Sequence, residues 1–185
     1  MSITLRKIHE DDLELIMYWR MSPEVTNYMY TDPVLTIEDQ IKWYKKVMEN
    51  KEYEKYWIIN LDRSIDLGLM SINHIDYQNK HASWAYYIAS TEARGKGLGR
   101  VLECNIYDYV FDHLNLNKLW CEVFEFNDKV IKIHEKFGSK IEGKFYDHIY
   151  KNGTFYNVVR MAILKREWDK IKIEQQYDLL KIEDY

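Results

Sequence analysis

One stretch constrains the fold of this chain more than any other: "ASWAYYIASTEARGKGLGRVL", residues 82–102. It passes from strand-like alternation into a basic glycine loop and then into a helical pattern. Gly95, Gly97 and Gly99 fall at alternate positions, in a chain with only 7 glycines. Such a loop lines up successive backbone N–H groups at the head of a helix, which makes an anion nest. Arg94, Lys96 and Arg100 add the charge a pyrophosphate requires. The bland alternative is a glycine-rich turn with solvated basic residues. Two familiar phosphate loops do not fit: the dinucleotide fingerprint needs GxGxxG opening a parallel βαβ unit, and the P-loop needs GxxxxGK[ST].

The flanking pattern gives the architecture. "SITLRKI" alternates as a strand, and Asp11 or Asp12 can cap a helix whose apolar face is Leu13, Leu15, Ile16 and Trp19. Ser22-Pro23-Glu24 restarts the chain with a cap residue and proline at the first helical position. Thr36 and Asp39 form a loose capping box for a helix carrying Ile37, Ile41, Tyr44 and Val47. Three strand-like runs follow, "YWIINL", "LGLMSINHI" and "ASWAYYIA", joined by turns short enough for hairpins. After the glycine loop come a helix over 99–114, the strand "KLWCEVFEF" and a helix over 128–137. "IEGKFYDHIY" and "FYNVVRMAIL" then pair through Asn152-Gly153, the residues a tight hairpin prefers. This order predicts a mixed α/β (α+β) fold with one central sheet.

Length and charge narrow the function. At 185 residues the chain suits a single domain over 1–185. Its formal net charge of −4 argues against a nucleic-acid partner, which calls for a basic excess. Cys104 and Cys121 have neither metal-ligand spacing nor disulfide-scaffold density. His74 and His81 face each other across a turn without a fitting third ligand, so no metal is expected. The N-terminal segment has no apolar signal core, and no run approaches the length of a membrane span; a cytoplasmic protein with no membrane partner is expected. The charged tail "KREWDKIKIEQQYDLLKIEDY" reads as an amphipathic final helix with a frayed end.

Arg94-Gly95-Lys96-Gly97-Leu98-Gly99 resembles the R/Q-x-x-G-x-G/A motif of the GCN5-related N-acetyltransferase (GNAT) superfamily. Further on, "FEFNDKVIKIHEKFGSKIEG" resembles that family's N-x-x-A-x-x-x-Y-x-K-x-G-F stretch. Asn127, Lys136 and Gly138 match it, while Val130 stands for Ala, His134 for Tyr and Ser139 for Phe. The resemblance, over about residues 1–165, implies a mostly antiparallel seven-stranded sheet splayed between strands 4 and 5. About four helices flank it, with a C-terminal helix and tail over 166–185. It also implies acetyl-CoA as cosubstrate. Tyr87, Ile88 and Ala89 would meet its pantetheine arm, the Arg94, Gly95, Lys96, Gly97, Leu98, Gly99 and Arg100 loop its pyrophosphate, and Asn127 and Lys129 complete the contacts.

Within the RimJ/RimL-like branch, "YWRMSPEVTNYMYT" looks most like the PseH-type enzymes. These acetylate the 4-amino group of a UDP-linked 4-amino-4,6-dideoxy-N-acetylaltrosamine in pseudaminic acid biosynthesis. That implies a small-molecule amine acceptor, a UDP-amino sugar, with Arg20, Met29, Tyr30, Gln40 and Trp84 as its contacts. Arg20 suits the diphosphate, and Tyr30 and Trp84 suit stacking on uracil or sugar; core packing is the alternative for each. An acceptor of polyamine or ribosomal-protein type is the rival, and a CoA-binding module without catalysis a third reading. Relatives are often dimers, which leaves a homodimer open.

The reaction needs few parts: a route for the ammonium proton, a donor to the oxyanion, and an acid for the departing thiolate. A backbone N–H near Ile88 is expected to serve the oxyanion. Glu122 sits in the otherwise apolar strand "LWCEVFEFN", where a carboxylate needs a reason. The resemblance makes it the group that takes the amine proton; a structural salt bridge is the alternative, and Glu125 competes from the other face. His134 takes the place of the tyrosine proposed as general acid, and an imidazolium is the stronger acid. An exposed helix histidine is the alternative, with Tyr86 or Tyr146 as substitute donors.

Overall fold

The computed structural model describes residues 2–90, 93 and 97–185. It contains β1 (Ile3–Lys7), α1 (Leu13–Met21), α2 (Pro23–Thr26), α3 (Ile37–Glu49), β2 (Lys55–Leu61), β3 (Ile65–Asp76) and β4 (His81–Ile88). These are followed by α4 (Leu98–Asp108), β5 (Lys118–Phe124), α5 (Asp128–Lys136), β6 (Lys140–Lys151), β7 (Thr154–Leu164), α6 (Lys165–Ile171) and β8 (Lys181–Ile182). The strand order is β6-β7-β5-β4-β3-β2-β1-β8, a mixed sheet of 8 strands rather than the expected seven. The chain forms two compact units, one of Met1–Ile75, Trp84–Lys96 and Leu180–Tyr185, the other of Asp76–Ser83 and Gly97–Leu179.

In the first unit β1, β2 and β3 form an antiparallel meander. Its entry is fixed by Arg6, whose guanidinium reaches Asp12 twice at 2.8 Å and Asp66 at 2.6 Å. Asp12 also accepts from the His9 amide, so the start of α1 is tied to the strand before it. The capping box at Thr36 forms as expected: Asp39 N donates to Thr36 Oγ1 and Thr36 N to Asp39 Oδ2. The packed face of α3 is turned slightly from the expected one. Val47 is fully buried among Ile8, Ile16, Ile58 and Leu69, with Trp43, Tyr44 and Met48 beside it. Ile37 and Ile41 stay 40% exposed, at the edge of that stripe.

The C-terminal tail corrects the expectation of a long helix with a frayed end. After α6 and a short 3-10 turn the chain extends, and β8 pairs in parallel with β1. The reason lies in the indole of Trp57, which is completely buried and must place its N–H. It donates to the Glu183 carbonyl at 2.8 Å, while the Lys7 amide donates to the Glu183 carboxylate and the Glu183 amide to the Leu5 carbonyl. Tyr185 packs edge-on against Trp57 and donates its hydroxyl to the Tyr56 carbonyl. Removing Leu180–Tyr185 is therefore expected to lower the unfolding free energy by about 3 kcal/mol, from the lost hydrogen bonds and ring burial. Urea denaturation of the truncated chain checks this; an unchanged midpoint would show that the tail strand contributes nothing.

The second unit is built on β5, β6 and β7. Register places Lys118 opposite Leu164 and continues through Glu122 opposite Arg160 to Phe124 opposite Val158. The β6–β7 turn uses Asn152 (φ 50°) and Gly153 (φ 78°), the positive-φ pair predicted from Asn-Gly. β4 meets β5 in parallel through only three pairs, His81–Lys118, Ala82–Leu119 and Ser83–Trp120. The expected helix over 99–114 is α4 followed by a π-helical turn at Tyr109–His113. Asp108 at their junction accepts from Trp168 Nε1 at 2.8 Å and Tyr177 Oη at 2.6 Å, holding α6 and the following segment.

Candidate active site

Only part of the glycine loop can be described. Arg94, Gly95 and Lys96 lie outside the described residues. Gly97 is the N-cap of α4 with φ 78°, a left-handed conformation that a side chain would strain. Leu98, Gly99 and Arg100 form the first turn, where helix N–H groups lack intrahelical acceptors and the dipole is positive. Arg100 itself turns toward the C-terminal segment, donating to the Gln176 carbonyl at 3.2 Å with its guanidinium over the Phe137 ring. Arg100 and Val101, with Gln175, Gln176, Tyr177 and Asp178, line an open hollow of about 420 Å³ beside that turn.

Asn127 is the N-cap of α5, yet its side chain makes no capping hydrogen bond; backbone bonds start the helix instead. Lys129, the second residue of α5, is exposed. In the first unit, the Ala89 amide donates to the Leu67 carbonyl at 2.8 Å, which anchors the Tyr87–Ala89 stretch to β3.

His134 is the residue whose surroundings depart furthest from expectation. It is not an exposed helix histidine: it is 4% exposed and its Nδ1 lies 3.0 Å from Oε1 of the fully buried Glu103 on α4. The Nδ1–H direction is off the hydrogen-bond line, so charge does much of the holding. The other Glu103 oxygen accepts from Tyr107 Oη at 3.0 Å, and that hydroxyl also meets Ser139 Oγ at 3.1 Å. Burial alone would push the ring's pKa down. Neighbouring Cys121 and the Glu103 carboxylate outweigh it and push the pKa up to about 10. The sequence reading missed Glu103, Tyr107 and Ser139. A signal was present: Glu103 interrupts the stripe Leu102, Ile106, Tyr107 and Val110, where a carboxylate is out of place.

Glu122 has the structural partner that was the alternative reading. Its Oε1 accepts from Arg160 Nε at 3.1 Å and Nη2 at 2.5 Å, across the β5–β7 register. Arg160 in turn lies 4.1 Å over the Trp120 ring, a cation–π contact on the same face. Glu125 is exposed and held by Lys144 and Asn157, which keep its carboxyl below the usual range. Cys104 and Cys121 are both buried thiols, and burial pushes Cys104 up to about 12.

The acceptor candidates divide. Trp84 is corrected to a packing role: it is 3% exposed and stacks on Tyr86 at 5.6 Å, so its ring is covered within the fold. Gln40 is buried, with Oε1 unpartnered among the described residues, and Tyr30 and Met29 are half-buried beyond α2. Arg20 donates from one nitrogen to Thr31 Oγ1 at 3.3 Å, and its buried Nη1 has no hydrogen-bond partner among the described residues. The buried Tyr87 hydroxyl is likewise unpartnered, within electrostatic reach of Arg20. Among the described residues no cluster of His, Cys, Asp and Glu suits a metal ion, and no helix is long and apolar enough to cross a membrane.

A mixed sheet with a short parallel β4–β5 ladder, a helix headed by a left-handed glycine, and a second helix carrying Asn127 and His134 define a GNAT-type acyltransferase. The family model described as an acetyltransferase (GNAT) domain matches residues 2–140, and the chain belongs to that family. It is an acetyl-CoA N-acetyltransferase. The chain is similar to spermidine N(1)-acetyltransferase of Vibrio cholerae, 26% identical over 90% of this chain and 95% of that one. It is also similar to the acetyltransferase PseH of Campylobacter jejuni, 27% identical over 77% of this chain and 87% of the relative. Among solved structures, spermidine N-acetyltransferase from Vibrio cholerae in complex with CoA and spermine superposes with a TM-score of 0.84. The two are 26% identical, over 90% of this chain and 98% of that one.

Proposed function

We propose that the chain transfers acetyl from acetyl-CoA to the primary amine of a UDP-linked 4-amino-4,6-dideoxy sugar. Arg20 carries this reading of the acceptor. A guanidinium nitrogen that is buried without a partner is costly unless a ligand completes it, and a diphosphate or carbonyl oxygen is what it can bind. The Tyr87 hydroxyl, within electrostatic reach of Arg20 and without a hydrogen-bond partner among the described residues, offers a second polar contact. A polyamine calls for the opposite charge. Of the carboxylates in the N-terminal segment, Asp12 and Asp66 are engaged with Arg6, and Asp39 caps α3. The likeness to PseH supports the sugar nucleotide.

For the cosubstrate, the first-turn amides of α4 with Arg100 would receive the pyrophosphate, together with Arg94, Gly95 and Lys96. Tyr87, Ile88 and Ala89 would meet the pantetheine arm, with Asn127 and Lys129 as further contacts. The amine nitrogen attacks the thioester carbon, an amide N–H near Ile88 holds the oxyanion, and the carbon–sulfur bond breaks. His134 gives the thiolate its proton. Glu122, held by Arg160, is the candidate to accept the ammonium proton through water, since it is 18% exposed at the side chain.

Spermidine as acceptor is the second reading, favoured by the spermidine acetyltransferases among the relatives. Thiol release from acetyl-CoA, measured against a UDP-4-amino sugar, spermidine and an N-terminal peptide, separates the readings. Turnover of the sugar nucleotide is expected, with Arg20→Ala raising its KM at least about tenfold while that for acetyl-CoA holds, a loss typical of one charge-assisted contact. Turnover of spermidine alone would overturn the sugar reading. CoA binding without turnover of any amine would point to a non-catalytic module.

A further inference from the structure

We propose that the hollow between the start of α4 and the segment 175–178 is a subsite for a phosphorylated adenosine, and that its occupant is the 3′-phosphoadenosine end of acetyl-CoA. This rests on the reading that the first-turn amides of α4 receive the pyrophosphate. The far wall of the hollow has no helix or strand of its own, yet α4 holds it in place over two turns. Arg100 Nη1 donates to the Gln176 carbonyl at 3.2 Å, Asn105 Nδ2 to the Asp178 carbonyl at 2.9 Å, and the Tyr177 hydroxyl to Asp108 at 2.6 Å. Those bonds engage two backbone carbonyls and one phenol, while Gln175, Gln176 and Asp178 line the hollow. An irregular stretch fixed on a rigid helix is where binding groups collect. The family match ends at residue 140, so this wall is built by sequence beyond it.

Size and chemistry both suit that ligand. The hollow measures about 420 Å³, within the roughly 300–1,000 Å³ of small-molecule clefts. Arg100 carries five N–H donors and gives one nitrogen to the Gln176 carbonyl, so its fork still matches a phosphate. Its guanidinium is set over the Phe137 ring, 5.9 Å from the centroid, which keeps the charge at the hollow. Asp178 supplies the carboxylate to which a ribose 2′-hydroxyl donates. Gln175 and Gln176 bring side-chain amides, which match the adjacent acceptor and donor on an adenine edge. A bare phosphate would meet repulsion from Asp178, so a sugar hydroxyl belongs in the ligand. Acetyl-CoA carries the phosphate, the hydroxyl and the base together, directly after its pyrophosphate. A free adenine nucleotide shares that chemistry, and the experiment separates the two sources.

The test is calorimetric titration of the full chain with acetyl-CoA, 3′-dephospho-acetyl-CoA, S-acetylpantetheine and adenosine 3′,5′-bisphosphate. The wild type is expected to bind acetyl-CoA at least about tenfold more tightly than the dephospho form, the loss of one charge-assisted contact. Arg100→Gln should cut that preference to within about threefold, since the remaining amide carries no charge. Asp178→Ala leaves all three anchors of the segment in place, and thermal melting checks that both variants fold. It should weaken both forms alike by at least about threefold, because each keeps the 2′-hydroxyl. Adenosine 3′,5′-bisphosphate should bind and be displaced by acetyl-CoA. Equal affinity for acetyl-CoA and its dephospho form, or wild-type affinity in Asp178→Ala, overturns the subsite and leaves the pyrophosphate reading intact. Adenosine 3′,5′-bisphosphate bound alongside acetyl-CoA overturns the assignment to CoA and makes the hollow a separate nucleotide site. If S-acetylpantetheine binds as tightly as acetyl-CoA, the pyrophosphate reading itself fails, and the proposal with it.

Discussion

Gly68→Ala is expected to destabilise the protein by about 3 kcal/mol, at the upper end of what one added methyl costs in a packed interior. A Cβ at Gly68 would sit 1.9 Å from the Tyr87 carbonyl oxygen, 2.9 Å from its carbon and 3.1 Å from Ile88 Cα. All three are backbone atoms, so no rotamer change relieves the clash and β3 must move against β4. The stretch displaced is Tyr87–Ala89, which is proposed to meet the pantetheine arm. A rise of at least about tenfold in the acetyl-CoA KM should therefore accompany the loss of stability, as misplaced binding groups forfeit contacts. Gly143→Ala is the control: it lies in β6 with nothing within 4 Å of the added carbon, so a change within about 0.5 kcal/mol is expected. Urea denaturation of both variants decides the matter. Equal midpoints for Gly68→Ala and the wild type would contradict the close approach of β3 and β4.

His134→Phe is expected to cost about 3–5 kcal/mol, because it leaves the Glu103 carboxylate buried without its cationic partner. The side chain of Glu103 is 0% exposed, so solvent cannot compensate. Pairing the substitution with Glu103→Leu should recover most of that loss, since an apolar pair of similar volume removes the stranded charge. A double-mutant cycle by urea denaturation measures the coupling, and additive losses would show that the two residues do not interact.

The same pair gives a pH signature. The folded-state pKa of His134, pushed up to about 10, lies above the ordinary 6.5 expected of the unfolded chain. Stability from the charged ring is therefore fully present below about pH 6.5 and is lost as pH rises through about 10. The wild type should lose stability across that window relative to the double variant, whose titration there lacks this group. Parallel stability curves from pH 6 to 10 would count against a charged His134.

Much of the second motif was legible in sequence, but not the roles of its residues. Asn127 heads α5 and Asn152-Gly153 makes the hairpin turn, because caps and positive-φ turns are set by neighbouring residues. His134 was visible as a departure from the family's tyrosine. Its burial was not, because helical periodicity places a residue on a face without saying what lies opposite. Glu122 shows the same limit. Its place in an otherwise apolar strand marked it as needing a partner, whereas the strand register with β7 supplied Arg160. Trp84 was offered as a stacking surface for a ligand, and packing within the first unit gave that surface to Tyr86.

By itself, then, the sequence determined what depends on spacing along the chain. It identified the strand–glycine–helix passage, the Thr36 capping box, the alternation of the strands and the two stretches that resemble the family. The tertiary structure decided what depends on partners far apart in sequence. It set the Glu103–His134 pair, the Glu122–Arg160 bridge, and the strand formed by the tail under the indole of Trp57. Local propensity fixes where elements begin and which way their side chains alternate. The fate of a buried charge or a buried N–H is settled only when another part of the chain arrives beside it.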